Sequence, residues 1–331
     1  MTTPVTGPVL VLLDHAADGG LRQPVLELLT AARALGTVHG AWTADADGSD
    51  PDARTLELLG TYGVETVHRL DVGDADVRLT PVLAQGLTAL VQSAGASVLL
   101  LTSSFENKEV AARVGLATGA GVVVDASAVE VADDRVVAAK TVFAGTWNTR
   151  CAVRTPLAVI ALKAGSVQAE PAAERVTATV VAQAVTVDDG ARRVRVTEHT
   201  ERAASTRPDL AAAQVVVVGG RGTNGDFALL EELADVLGGA VGATRVATDE
   251  GWIGHDAQIG QTGVTVAPQL YIGAGVSGAV HHRGGMQSAG TIVAINNDPE
   301  APIFEIADFG IVGDLFTVLP QATAELRRLK G

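Results

Sequence analysis

The sequence predicts an α/β protein in two parts. The first is an N-terminal domain on a parallel sheet with an antiparallel β extension, and the second is a C-terminal Rossmann-like domain. Three observations carry this expectation. Apolar, β-branched runs alternate with amphipathic segments over residues 9–125 and again beyond residue 209. Between these stretches the helical segments vanish and hairpin-type turn signals appear. Two GxGxxG motifs, Gly220-Arg221-Gly222-Thr223-Asn224-Gly225 and Gly273-Ala274-Gly275-Val276-Ser277-Gly278, each follow an apolar run. A chain of 331 residues is long enough for two ordinary domains.

The elements follow in order. Residues 9–13 read as a strand and 23–35 as a helix, with apolar positions at Val25, Leu28, Leu29, Ala32 and Leu35. A strand at 37–42, a helix at 51–59 beginning with Pro51, and a strand at 65–70 come next. Residues 81–92 are helical. The near-continuous apolar run 96–101 suits a strand buried on both faces. A helix at 107–117 with Asn107 as its N-cap, and a strand at 122–125 taken as the last parallel one, complete the series. From 128 the pattern is all strand: 128–131, 136–143, 149–154, 157–162, 176–187 and 191–199. Asp133-Asp134 and Asp188-Asp189-Gly190 supply hairpin turns. A polar segment at 198–208 reads as a linker, so the domains are expected at 1–207 and 208–331. A short helix at 209–213, a strand at 214–218 and a helix at 227–237 open the second series. Three β-type runs, 264–267, 270–272 and 291–295, follow.

Composition narrows the function. Hydrophobic content of 47% with 19% charged residues describes a folded chain, and the net charge of −14 argues against a general nucleic-acid binder. The single cysteine, Cys151, cannot close an internal disulfide and reads as a small packed residue. The first residues lead directly into a strand-like run without a charged leader, and no apolar run approaches the ~20 residues of a membrane span. The expectation is a cytoplasmic protein that is not membrane-embedded.

The chemistry is expected in the last quarter. A strand that runs into glycines lets a ligand approach bare backbone, and a helix beginning there offers N–H groups to phosphate. Asp298 lies where a ribose-binding acid would be sought after the second motif. Neither motif separates one dinucleotide from another. Asp308-Phe309-Gly310 imitates a kinase magnesium motif, but the accompanying catalytic-loop and lysine-strand motifs do not occur. Asp14-His15 ends the first strand and reads as strand-end polarity. Ser103-Ser104-Phe105-Glu106 follows a buried strand and could face a ligand, and catalysis is expected at neither.

The blocks VVVVGGRG (215–222), GQTG (260–263), PQLYIGAGVSGAVHH (268–282), IVAIN (292–296) and APIFEIADFGIVGDLF (301–316) occur in one order. Together they resemble the FAD domain of the electron transfer flavoprotein alpha subunits, the family that includes the FixB proteins. The resemblance is strong over 209–331 and rests on element order over 1–208. It implies FAD as cofactor and a heterodimer with a beta subunit, contacted mainly through the N-terminal domain. It also implies flavin dehydrogenases, such as the acyl-CoA dehydrogenases of fatty acid oxidation, as donors and a membrane quinone oxidoreductase as acceptor. By the same resemblance Arg221 contacts the phosphate or ribose region and Arg245, beside Thr244, lies against the isoalloxazine. Ile259, Gly260, Gln261 and Thr262 wrap the flavin edge, with the Thr262 hydroxyl near N5. Ser277, Gly278, Ala279, Val280, His281 and His282 form the turn around pyrophosphate and flavin, with His282 near O2. Asn296, Asp314 and Leu315 hold the adenosine half.

These residue types suit one-electron chemistry. A half-reduced anionic flavin gathers negative charge at one edge, where an Arg and a His or His⁺ in a low-dielectric cleft would stabilise it. A bland reading stands beside each residue: Arg245 could pair with Asp249 or Glu250, Ser277 could be an N-cap, and His281 replaces the Gln common in relatives. Two other functions fit the same residues. One is a subunit of an electron-bifurcating flavoprotein that uses NADH, and the other is a nucleotide-binding regulatory module without redox function.

Overall fold

The computed structural model describes residues 6–15, 19–43, 50–143, 146–198 and 206–330. The chain divides into two compact units, Met1–Lys140 with Asn148–Glu201, and Thr141–Trp147 with Arg202–Gly331. Of the linker read at 198–208, residues 199–205 lie outside the described residues.

The first series runs β1 (Val9–Leu12), α1 (Gln23–Arg33), β2 (Val38–Thr43), α2 (Ala53–Thr61), β3 (Val64–Asp71), α3 (Thr80–Ser93), β4 (Val98–Thr102), α4 (Phe105–Thr118) and β5 (Gly121–Ala126). It continues with β6 (Ala128–Ala132), β7 (Arg135–Val142), β8 (Trp147–Ala152), β9 (Ala158–Leu162) and β10 (Thr179–Ala184). Among the described residues, seven of these strands form a sheet in the order β10-β3-β2-β1-β4-β9-β5. Every pairing in it is parallel. The central strands β1, β4 and β9 are buried on both faces, which explains their unbroken apolar runs. Val9, Val11 and Leu13 pack with Leu28 and Leu29 of α1 on one face. Leu10 and Leu12 pack with Leu87 of α3 and Val110 of α4 on the other.

The antiparallel extension is smaller than the sequence suggested. It is the three-stranded sheet β6-β7-β8, whose first two strands pair antiparallel through the Asp133-Asp134 turn. Both aspartates have positive φ, 49° and 56°, as a two-residue hairpin turn with the sheet's own twist requires. β9 and β10 instead join the parallel sheet, so the strand at 122–125 is not its last member. β9 wedges between β4 and β5 and is buried along its whole length. Its sequence, AVIAL, is the same signal that marked β4. Residues 191–199 form no strand where described. Asp188 Oδ1 accepts the Ala191 N–H at 2.8 Å and starts a 3₁₀ turn, Ala191–Arg193, in place of a hairpin. The α4 cap also differs: Ser104, not Asn107, is the N-cap, its Oγ accepting the Asn107 N–H at 3.1 Å.

That leaves the Asn107 side chain free for another task. Its Nδ2 donates to Asp14 Oδ2 at 3.0 Å, and the Thr102 hydroxyl donates to the same oxygen at 2.6 Å. Asp14 therefore ties β1, β4 and α4 together. Burial pushes its carboxyl above the usual range, and the two hydrogen bonds only partly offset this. Replacing Asp14 by Ala strands both donors, an expected loss of ~1–3 kcal/mol in urea unfolding. Asp14→Asn, with no charge to desolvate, should cost less; equal stability of Asp14→Ala and wild type would mean the tie carries no weight. His15 is stacked on Trp42, ring centroids 4.0 Å apart.

The second series is β11 (Val215–Gly219), α5 (Ala228–Leu237), β12 (Ala240–Ala243), α6 (Arg245–Asp249), β13 (Leu270–Ala274), α7 (Val280–Arg283), β14 (Thr291–Asn296), β15 (Phe309–Val312) and α8 (Leu315–Lys330). The strands form a parallel sheet in the order β12-β11-β13-β14-β15. Leu230 and Leu233 of α5 and Leu319 of α8 cover one face. The other face is covered largely by irregular segments through Ile259, Val266, Val276, Met286 and Ile303. This explains two departures. Residues 264–267 form no strand, and only Val264 makes an isolated bridge, to Ile259. Residues 209–213 make a single turn, closed by Ala212 N–H on Asp209 O at 3.0 Å.

Candidate functional site

The strand order of the second sheet reverses at β11: the chain leaves it on one side for β12 and returns on the other for β13. Loops that leave a sheet in opposite directions open a crevice at the carboxyl ends of the strands. The two glycine motifs lie on those loops. Gly220 N–H donates to Ala274 O and Gly222 N–H to Gly275 O, both at 3.1 Å. A Cβ on Gly220 would lie 2.3 Å from the Gly275 carbonyl oxygen, and one on Gly275 would lie 2.7 Å from Gly222 Cα. Gly275 also has φ +63°. The loops meet backbone to backbone, an approach that only glycine permits.

Beside this contact lies a cleft of about 740 Å³, within the ~300–1,000 Å³ usual for ligand sites. Of the residues expected from sequence, Arg221, Thr244, Arg245, Ile259, Gly260, Gln261 and Thr262 line it. So do Ser277, Ala279, His281, His282, Asn296, Asp314 and Leu315. Gly278 and Val280 are not among the lining residues. Gly278 (φ +81°) packs on the backbone of Ile303, where a Cβ would sit 2.3 Å from the nitrogen. Val280 is exposed outside the cleft wall. Lining residues that the sequence reading missed include Gly222, Gln258, Gly275 and Pro302. The glycines were legible as motif members, whereas Gln258 had only its place next to GQTG.

Two arginines bring positive charge to the cleft. Arg221 is on the first glycine loop, and Arg245 opens α6 immediately after Thr244, whose N–H is tied to Gly219 O at 2.9 Å. Arg245 lines the cleft and also pairs with Asp249 at 3.1 Å, the partner that the bland reading expected. Ser277 is not an N-cap; α7 starts at Val280 behind Ala279 without a side-chain cap. The helix after the first motif begins at Ala228, beyond a 3₁₀ turn, so neither glycine loop opens directly into a long helix. Asn296 is committed locally, its Nδ2 donating to Val276 O at 2.8 Å and its Oδ1 accepting the Asp298 N–H at 3.0 Å. Asp314 caps α8 through Phe316 N–H at 3.2 Å.

His282 is 6% exposed. Its Nδ1 lies 3.0 Å from Ile259 O and its Nε2 2.7 Å from the Tyr271 hydroxyl. A carbonyl can only accept, so Nδ1 carries the hydrogen and Nε2 accepts from Tyr271. Burial lowers His282 to about 4 and pushes the fully buried Tyr271 phenol upward. At neutral pH the ring is therefore neutral, and the His⁺ alternative raised from sequence does not describe it. His281, by contrast, is exposed on the cleft wall and meets Gln261 Oε1 at 2.8 Å.

The geometry defines a class: a two-unit parallel α/β protein whose ligand cleft sits at the strand-order switch point of the second sheet. Residues 209–287 match the family model described as the electron transfer flavoprotein FAD-binding domain, and residues 9–189 match the electron transfer flavoprotein domain. The chain is similar to the electron transfer flavoprotein subunit alpha of Mycobacterium leprae, 40% identical over 97% of this chain and 99% of that one. The protein of the same name from Syntrophomonas wolfei is 35% identical over 94% of this chain and 96% of its own. The mitochondrial subunit alpha of Dictyostelium discoideum reaches 56% identity over 40% of this chain and 38% of its own. The chain belongs to the electron transfer flavoprotein alpha-subunit family.

Proposed function

We propose that the cleft holds FAD and that the chain is a one-electron carrier. In this reading it works as a heterodimer with an electron transfer flavoprotein beta subunit, contacted mainly by residues 1–207, while residues 208–331 carry the cofactor. Donors would be flavin dehydrogenases such as acyl-CoA dehydrogenases, and the acceptor a membrane quinone oxidoreductase, with the complex working in the cytoplasm. Among the described residues no helix is long and apolar enough to cross a membrane, so the acceptor would be met from outside the bilayer.

The observation that carries this reading is the cleft itself, formed where two glycine loops abut within the segment matched by the FAD-binding family model. The residues present suit the group. Bare backbone at Gly222, Gly260 and Gly275 lines the wall, leaving room for a bulky cofactor beside it. Arg221 and Arg245 would offset its negative charge. Thr262 supplies a hydroxyl, and His282, held by Tyr271 and Ile259, presents a neutral ring edge of fixed orientation. FAD, once bound, supplies the capacity to take up and release single electrons. The chain's own residues then bind, orient and shield it.

The test is to co-express the full chain with a beta subunit and record absorbance during stepwise reduction. Bound FAD passing through a one-electron-reduced form is expected; a colourless complex that takes up no FAD would sink the cofactor assignment. Reduction only in two-electron steps would sink the carrier role. In the same titration Arg245→Leu is expected to lower the one-electron-reduced fraction about fivefold, the ~1 kcal/mol of a solvent-screened charge. The effect stays modest because the side chain is 70% exposed and shared with Asp249.

A further inference from the structure

The Thr262 hydroxyl on the cleft wall stands at the end of a hydrogen-bond chain that starts in the interior. Gln258 Nε2 donates to Thr262 Oγ1 at 3.0 Å, and Gln258 Oε1 accepts from the Thr248 hydroxyl at 3.0 Å. Thr248 is 2% exposed and Gln258 7%, whereas Thr262 is exposed to the cleft. The Gln258 backbone is clamped as well. Its carbonyl accepts the Val264 N–H at 2.7 Å, and a Cβ on Gly263 would lie 2.2 Å from the same oxygen. With its backbone held and its side chain set between Thr248 and Thr262, the Gln258 amide presents one end to the Thr262 hydroxyl. Which end it presents sets the way that hydroxyl points.

A threonine hydroxyl has one hydrogen to give. With the Gln258 N–H on its oxygen, Thr262 keeps that hydrogen for the cleft and faces a ligand as a donor. A second arrangement needs little movement of heavy atoms. Thr248 Oγ1 also lies 2.9 Å from Arg245 O. If Thr248 donates there, its oxygen can accept from the Gln258 amide turned end over end, since the amide oxygen and nitrogen occupy nearly equivalent positions. Gln258 Oε1 then accepts from Thr262, whose oxygen faces the cleft as an acceptor. No proton changes owner; one amide turns and two hydroxyls rotate.

We propose that Gln258 is a positioning residue that sets whether Thr262 donates to or accepts from the bound ligand, with the Arg245 carbonyl providing the alternative partner that permits reversal. The proposal rests on the flavin reading of the cleft. A flavin ring nitrogen is a bare acceptor when oxidised and bears a hydrogen when reduced, so a hydroxyl able to play both parts serves both states.

The experiment uses the full chain with its beta subunit and FAD, and compares wild type, Gln258→Met, Thr262→Val and the double variant. The readout is the midpoint potential of the bound flavin together with FAD affinity in both oxidation states. Gln258→Met is expected to change the ratio of affinities for oxidised and reduced FAD about tenfold, ~30 mV for a two-electron couple. Added to Thr262→Val, it should change that ratio less than about twofold, because its effect runs through the missing hydroxyl. An unchanged potential in Gln258→Met, or the same shift in both backgrounds, overturns the proposal. Should Gln258→Met fail to fold, Thr248→Val removes the reversing partner while keeping the amide, and an unshifted potential there overturns it equally. Wild-type protein that binds no FAD sinks the flavin reading and this inference with it. Wild-type protein that binds FAD alongside an unshifted variant sinks this inference alone.

Discussion

Replacing Gly275 by Val is expected to unfold the C-terminal unit or lower its Tm by ~10 °C or more, and to abolish FAD uptake. Two costs combine. A β-branched residue at φ +63° is strained by ~1–2 kcal/mol, and its Cβ would meet Gly222 Cα at 2.7 Å and Leu315 at 2.9 Å. The Gly222 backbone at the loop contact cannot yield cheaply, whereas Leu315 is met only at the tip of its side chain, which would have to repack where α8 begins. Overpacking of this kind adds ~1–3 kcal/mol. Gly238→Ala is the control. That glycine also has a left-handed φ, +68°, yet a Cβ there meets nothing within 4 Å. It should cost only the ~1 kcal/mol of the backbone conformation. Thermal unfolding of both variants separates strain from clash; equal losses would show that the loop contact is not tight.

The second large effect concerns acid. His282 titrates near 4 in the folded chain, against an ordinary value near 6.5, because burial disfavours the charged ring. A group with a lowered folded value contributes stability that is complete above about 6.5 and lost as pH falls toward 4. Below that window the ring must charge inside the core or the structure must open, and the full span is worth ~3 kcal/mol at most. Urea unfolding of wild type should therefore weaken between pH 7 and pH 4.5 by more than that of His282→Gln, which cannot titrate. The same variant at pH 7 should be destabilised by ~1–3 kcal/mol, because the Tyr271 hydroxyl and the Ile259 carbonyl lose a shared partner. Parallel pH profiles for the two proteins would show that His282 is not the acid-sensitive group.

Much of the fold could be read from periodicity. The helices of the first series emerged at 23–35, 51–59 and 81–92, close to Gln23–Arg33, Ala53–Thr61 and Thr80–Ser93, because each buries one face. β12 was missed because AVGA is short and lacks the usual strand formers, and its place beside β11 is set by the sheet. β9 and β10 were read as strands but assigned to the wrong sheet. Strand propensity is local, whereas the partner is chosen by long-range burial. β9 finds its place between β4 and β5 because a strand buried on both faces fits only inside a covered sheet.

By itself the sequence determined that this is a parallel α/β chain and that its ligand chemistry would sit in the C-terminal part, at two glycine motifs that each follow a strand. It could do so because glycine, β-branched runs and amphipathic spacing act on their own backbone. That those two loops abut was decided by the tertiary structure. Only the tertiary structure decided the protonation of His282, the double engagement of Arg245 and the place of Gln258 behind Thr262. A side chain's charge state and hydrogen-bond direction depend on the dielectric and on partners brought from distant parts of the chain. Those are set by packing, which no local pattern encodes.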